Sequence, residues 1–330
     1  MIKAFVFGKF LPFHKGHQAM ISFALSQCDF LSVLVCCDQE EQIPAAVRKN
    51  WIETTFADTA NLEVKVLQYD HHLLPNTSVA SLSISERWSD VFKKLYPDYN
   101  LLITSEPYGE FVANFMHIRH IPFDPAKVQF PTSATAIRNH LFANWHFLPA
   151  AVKPYFAIKV VILGTESTGK TTLTQQLAAH YNCSCVLEAG RELITDSNNF
   201  AMNDLHLVAN EHTKRIAQAM LGDSPLMIID TDIHITKSYS RFMFDQELPV
   251  NHSVYDTQSA SLYLYLNNDV PYHQDGTRLS HPDRDLLDRS HREVLAAHMV
   301  QFTEISGNWP SRFEQAVLHI SKIINSKLNL

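Results

Sequence analysis

The sequence predicts an α/β protein made of two consecutive domains, each a doubly wound parallel sheet. Three observations carry this. Short apolar runs alternate with helical segments along the chain. Two strand-to-helix turns, at Gly8 and at Gly164, each follow an apolar run and open a helical one. A length of 330 residues suits two domains of ~100–200 residues.

Composition narrows the partners. The hydrophobic fraction of 46% is that of a globular protein with full cores. Charged residues make up 18%, and the net charge is −7, which argues against nucleic acid as a partner. Eighteen histidines are scattered without compact zinc spacing. Five cysteines (Cys28, Cys36, Cys37, Cys183 and Cys185) show no C-x-x-C pair and read as buried free thiols in a reducing compartment. The chain passes from Met1 straight into a strand with no signal segment, and no apolar run approaches the ~20 residues of a membrane helix. The expectation is a soluble, cytoplasmic protein with no membrane insertion.

In the first half, Lys3–Phe7 reads as a strand. It leads to Gly8-Lys9-Phe10-Leu-Pro-Phe-His14-Lys-Gly-His17 and then to a helix from Gln18 to Gln27. Phe30–Cys37, Leu62–Gln68 and Leu101–Thr104 are further strands. Ser85–Leu95 is a helix, and the stretch holding Arg48 and Trp51 is another. In such sheets ligands lie beyond the carboxyl ends of the strands, where Gly8, Asp38 and Ser105 fall. Two imidazoles near a helix start suit a triphosphate, because they donate hydrogen bonds and can carry charge. By itself the pair fits surface histidines or metal ligands equally well.

The whole string G-x-F-x-P-x-H-x-G-H resembles the signature of the nucleotidylyltransferase superfamily. That superfamily has a second motif, roughly I-S-S-T-x-x-R, and Thr132-Ser133-Ala134-Thr135-Ala136-Ile137-Arg138 stands in its place. Ser133, Thr135 and Arg138 match, while Thr132 and Ala134 depart. With Thr104-Ser-Glu-Pro-Tyr-Gly-Glu110 and Phe123-Asp-Pro-Ala-Lys127, the chain resembles the bifunctional NadR-type proteins over nearly its whole length. Those proteins join a nicotinamide-mononucleotide adenylyltransferase to a ribosylnicotinamide kinase. The resemblance implies a Rossmann-like first domain over residues 1–152 and a P-loop kinase over residues 153–330. It implies ATP contacts at Gly8, Lys9, Phe10, Ser133 and Thr135, with catalytic charge from His14, His17 and Arg138. It also implies an aromatic ring that stacks on nicotinamide. Trp88 is the candidate, with plain core packing as the other reading.

Ala143–Pro154 is aromatic and proline-marked, which reads as a short, semi-rigid join. Ile158–Leu163 is then a strand, followed by Gly164-Thr-Glu166-Ser167-Thr168-Gly169-Lys170-Thr171, the P-loop pattern, and a helix from Thr172. The glycines let backbone N–H groups surround phosphate oxygens, Lys170 reaches the β/γ-phosphates, and Thr171 ligates Mg²⁺. Cys183–Leu187 is a strand ending at Glu188-Ala-Gly-Arg191. Resemblance places Glu188 and Arg191 at the acceptor; a helix-capping acid and a surface arginine is the other reading. His206–Leu221 is a helix. Leu226–Asp232 reads as a buried strand closed by two acids. Asp230 holds Mg²⁺ or acts on the acceptor, Asp232 competes with it, and the sequence does not divide these roles.

After a strand at Leu262–Leu266 comes Asn267-Asn-Asp269-Val-Pro-Tyr-His-Gln-Asp275-Gly-Thr-Arg278, similar to the kinase half of the same proteins. Asp269 is assigned to substrate. Arg278 and Arg284, with Arg289 behind, read either as a lid over the transferring phosphate or as a solvated run paired with neighbouring aspartates. Pro310–Lys327 is an amphipathic helix.

The implied substrates are nicotinamide riboside, nicotinamide mononucleotide and ATP, with Mg²⁺. Three alternatives stay open: another small acceptor; a NAD- or ATP-sensing regulator of riboside uptake, linked to a transporter; and a chain with one weakened catalytic half. A DNA-binding regulator is not expected, because the chain begins at the first strand. A homo-oligomer is also left open.

Overall fold

The computed structural model describes residues 1–75, 81–194, 200–272 and 281–327. The chain forms two compact units, Met1–Lys153 and Pro154–Leu330. Arg278 lies outside the described residues.

The first unit runs β1 (Lys3–Gly8), α1 (Lys15–Leu25), β2 (Phe30–Asp38), α2 (Ala45–Thr55), β3 (Leu62–Tyr69), α3 (Leu82–Leu95), β4 (Leu101–Thr104), α4 (Tyr108–Met116), β5 (Arg119–Pro122), α5 (Ala134–Asn139) and α6 (Leu141–Asn144). A short helix, α7 (Lys153–Phe156), spans the boundary. The five strands are parallel in the order β3-β2-β1-β4-β5. The order reverses between β1 and β4, which opens a crevice there. β2 is buried along nearly its whole length, as a strand covered on both faces must be. Phe5, Leu34, Trp88, Phe92, Tyr96 and Leu102 form the core on one face.

The second unit runs β6 (Ile158–Leu163), α8 (Lys170–Tyr181), β7 (Ser184–Val186), α9 (Gly190–Leu193), α10 (Met202–Met220), β8 (Leu226–Asp230), α11 (Ile233–Phe244), α12 (His252–Gln258), β9 (Leu262–Leu266), α13 (His281–Ala297), β10 (Thr303–Ile305) and α14 (Trp309–Lys327). Its strands are parallel in the order β10-β9-β6-β8-β7. β6 and β8 are wholly buried. Val160, Ile162, Leu177, Ile228, Leu264 and Ile320 pack together in the core of this unit.

The two parallel sheets are those the sequence predicts, and three details differ. β5 and β10 do not emerge from the sequence. Each is an edge strand of three or four residues, too short to show a period. The supposed lid is helical from His281 onward, with Arg284, Leu287, His291 and Leu295 buried at helical spacing. Arg284 therefore sits on a packed helix face, and Arg289 is exposed. All five cysteines are free, but Cys185, on the edge strand β7, is exposed rather than buried. Burial raises the Cys36 and Cys183 thiols to about 12, so they are not nucleophiles near neutral pH. Among the described residues, no helix is long and apolar enough to cross a membrane.

Candidate active sites

In the first unit the chain leaves β1 at Gly8 and turns sharply, with Phe10 at φ 49°, before His14 caps α1. His14 Nδ1 accepts Gly16 N–H at 3.2 Å. That bond leaves the ring proton on Nε2, as a donor for a ligand oxygen. The His14 and His17 rings stack with centroids 3.7 Å apart, and His17 Nδ1 is buried with no hydrogen-bond partner among the described residues. Burial, with the nearby Lys127 ammonium, lowers His14 to about 4; burial, His14 and Lys127 hold His17 well below its ordinary value. Two such rings are neutral at pH 7 and gain charge only when an anion arrives.

The second motif docks on the first. Ser133 caps α5, accepting Ala136 N–H at 3.1 Å. Arg138 donates Nη1 to Leu11 O and Nη2 to Thr135 Oγ1. Arg138 is thereby held beside the loop that carries the histidines, 127 residues away in sequence. Thr132 is buried, with its hydroxyl toward Asn144 Oδ1 at 3.4 Å. Lys9 is paired: its Nζ lies 2.9 Å from Glu41 Oε1. Arg48, fully buried, holds Glu41 Oε2 at 2.7 Å and donates to Lys9 O at 2.9 Å, so it shapes the turn after β1.

Trp88 lies in the core and also faces space. Its Nε1 donates to Pro75 O at 3.0 Å, and its ring packs on Phe7, Tyr69 and Phe92. With Phe7, Gly8, Cys36, Tyr69 and Tyr108 it lines a cavity of about 60 Å³ beyond the ends of β1 and β2.

In the second unit Gly164 and Gly169 take φ of 137° and 85°, and a Cβ at either would overlap a neighbour. The atom facing Gly169 is Trp309 Cζ3, 2.3 Å from that position. Thr165 O accepts Lys170 Nζ at 3.0 Å and Thr168 Oγ1 at 2.7 Å, so the lysine folds over its own loop. Ser167 has φ 61°, Glu166 Oε1 accepts the Tyr239 hydroxyl at 3.0 Å, and Thr172 is exposed.

Thr171 Oγ1 donates to Asp230 Oδ2 at 2.6 Å. Asp230 Oδ1 is buried with no hydrogen-bond partner among the described residues. Two hard oxygens in this arrangement fit Mg²⁺, with its remaining ligands drawn from phosphates and water. Glu188 lies near Lys170, Asp230 and Glu166. Burial raises its carboxyl, and Lys170 opposes that rise. Arg191 Nε is 3.7 Å from Glu188 Oε2, and its side chain is half-exposed.

Asp232 is elsewhere. Thr231 has φ 71°, which breaks the strand, and Asp232 caps α11 by accepting His234 N–H at 3.0 Å. Its other oxygen meets His234 Nδ1 at 2.6 Å. Asp269 is also paired within the protein. It accepts Gly307 N–H at 2.6 Å and pairs with Arg312.

Four residues near these sites are not singled out by the sequence. Arg312 is buried and donates to Gly307 O, Thr168 O and Asn267 O at 2.8–2.9 Å, tying the P-loop to the turn after β9. His291 lies close enough to Lys170 for its charge to act. Its Nδ1 meets Ser238 Oγ at 2.8 Å, its Nε2 is buried without a hydrogen-bond partner among the described residues, and burial lowers it to about 3. Tyr239 and Lys127 complete the set. Only Lys127, inside the Phe123–Lys127 run, has any sequence signal. Arg284 Nε and Nη2 are buried with no hydrogen-bond partner among the described residues, and its guanidinium lies 5.7 Å from the Tyr272 ring centroid.

Known proteins are similar to this chain. Residues 159–312 match the AAA domain model, and residues 4–89 match the citrate lyase ligase C-terminal domain model. A trifunctional NAD biosynthesis/regulator protein NadR of Escherichia coli (strain K12) is 28% identical over 341 residues, covering 94% of this chain and 81% of that protein. The chain is similar to NadR proteins over nearly its whole length. Two solved NadR structures have its fold. One, in complex with NR, has a TM-score of 0.67 at 18% identity and covers 97% of this chain and 96% of its own. The other, in complex with NAD and AMP-PNP, has a TM-score of 0.66 at 19% identity, with coverage of 100% and 96%. The second unit is thus a P-loop nucleotide-binding domain and the first a nucleotidyltransferase-like one.

Proposed function

We propose that this chain makes NAD in two steps, one in each unit. The second unit transfers the γ-phosphoryl of ATP to the 5′-hydroxyl of nicotinamide riboside, giving nicotinamide mononucleotide and ADP. The first unit lets the mononucleotide phosphate attack the α-phosphorus of ATP, giving NAD and pyrophosphate. The observation that supports this reading is that each unit groups side chains suited to phosphate near the carboxyl ends of its own strands: Lys170, Thr171 and Asp230 in one, His14, His17 and Arg138 in the other.

In the kinase step the P-loop amides and Lys170 hold the β- and γ-phosphates. Thr171 and Asp230 would hold Mg²⁺, which supplies charge neutralisation across the transferring group. Glu188, with its raised carboxyl among Lys170 and Asp230, is suited to take the proton of the riboside hydroxyl. Arg191 adds charge at the acceptor. Asp232 acts indirectly, by fixing the start of α11, and Asp269 by holding Arg312.

In the adenylyl step the nucleophile is an ionised phosphate, so no strong base is needed. His14 and His17 donate to the triphosphate and become more basic as its charge grows, while Arg138 and Lys127 are already charged. Gly8, Lys9, Phe10, Ser133 and Thr135 shape the nucleotide-binding turn, and Trp88 offers its ring to nicotinamide. The test is to incubate the full chain with MgATP and nicotinamide riboside and to follow mononucleotide and NAD separately. Appearance of mononucleotide before NAD is expected; formation of neither overturns the reading.

A further inference from the structure

The ends of β2 and β3 carry side chains that neither reaction uses. Asp38, the last residue of β2, is buried. Its Oδ1 accepts Glu40 N–H at 3.0 Å, and its Oδ2 accepts His71 N–H at 2.9 Å and meets His71 Nδ1 at 3.0 Å. One carboxylate thus orients both the turn after β2 and the turn after β3. Asp70 Oδ1 accepts His72 N–H at 2.8 Å. The His71 and His72 rings lie 4.0 Å apart. One ligand atom each from Glu40, His71 and His72 lies within 4.8 Å of the others.

This is the arrangement that stands behind metal-binding histidines. A ring that gives Nδ1–H to a fixed carboxylate presents the Nε2 lone pair outward, with its tautomer set and its basicity raised. We propose that Glu40, His71 and His72 form a three-ligand site for a divalent ion of the zinc class, braced by Asp38. Two imidazoles and one carboxylate suit Zn²⁺, with a fourth position left to water. Mg²⁺ and Ca²⁺ require six or more oxygens and do not compete. Ligand atoms of a tetrahedral site with bonds near 2.0 Å stand roughly 3.3 Å apart. Rotation of the exposed Glu40 and His72 side chains closes that gap while His71 stays on Asp38.

The ion ties together two turns that flank the Trp88 cavity. Cys36 and Tyr69 line that cavity, each two residues before a member of the group, Asp38 and His71. Occupancy therefore stiffens one wall of the cavity by linking the ends of two neighbouring strands.

The experiment uses the full chain stripped of metal by a chelator, without an affinity tag. Zn²⁺ is titrated in competition with a chromophoric chelator, and Co²⁺ is followed by visible absorption. One equivalent that binds more tightly than the rest, with the intense bands of four-coordinate Co²⁺, is expected. His72→Ala should weaken that equivalent at least ~10-fold, and Asp38→Asn, which keeps all three ligands, by ~10–100-fold. His252→Ala, at an exposed histidine elsewhere, should leave it unchanged. A wild-type chain with no distinct equivalent, or His72→Ala binding Zn²⁺ as wild type does, overturns the site. An unchanged Asp38→Asn overturns the brace.

Discussion

Thr171 Oγ1 donates to Asp230 Oδ2 at 2.6 Å, while Asp232, two residues further on, turns its carboxylate onto His234. In a regular strand, residues two apart share a face, so the two acids should act together. The left-handed Thr231 between them prevents it. A β-branched residue there is strained by ~1–3 kcal/mol, and two bonds hold it: its N–H donates to Ile162 O at 3.0 Å, and its carbonyl meets His212 Nε2 at 3.1 Å.

The two acids should therefore differ on mutation. Asp230→Asn should lower riboside phosphorylation by ~10²-fold or more, because the negative charge and one of the two oxygens that suit the ion are lost. Asp232→Ala should act mainly on stability, at about 1 kcal/mol for the lost cap. Kinase rates and thermal midpoints of the two variants check this, and equal kinase losses would reverse it.

The proposed two-site reading predicts separable defects. Lys170→Ala should stop mononucleotide formation, at ~10²–10³-fold, and spare adenylylation of supplied mononucleotide. His17→Ala should do the opposite. A change at either position that abolished both reactions in a folded chain would sink the two-site reading.

Arg312 should set the grip of the P-loop. It is buried, donates to three backbone carbonyls and pairs with Asp269. Arg312→Ala should cost about 3 kcal/mol and raise the kinase KM for ATP, leaving the KM values of the adenylyl reaction alone. Denaturant unfolding and steady-state kinetics measure the two effects.

The buried histidines predict a pH dependence of stability. His14 falls from 6.5 to about 4 on folding, and His291 to about 3. Between those values and 6.5 the unfolded chain binds more protons than the folded one, so stability falls as pH drops below 6.5 and levels off only below the folded values. For His14 the full loss is bounded at ~3 kcal/mol. Unfolding free energies from about pH 7 to about pH 5 should fall more steeply in the wild type than in His14→Gln. Parallel slopes would refute the His14 contribution.

Much of this protein was legible in its sequence because the signals are local. Apolar runs between helical stretches determined two parallel sheets. The spacing of Gly164, Gly169, Lys170 and Thr171 marked a phosphate loop, and the string from Gly8 to His17 marked the other candidate site. Each works through a few consecutive residues around one turn, which a linear pattern can show. The tertiary structure decided what depends on distant partners. It brought Arg138 against Leu11, and it placed Arg312 under the P-loop from the last helix. It turned the run around Arg284 into a packed helix, and it parted Asp230 from Asp232 through one backbone angle. Burial and long-range hydrogen bonds set those outcomes, and neither is a property of residues adjacent in sequence.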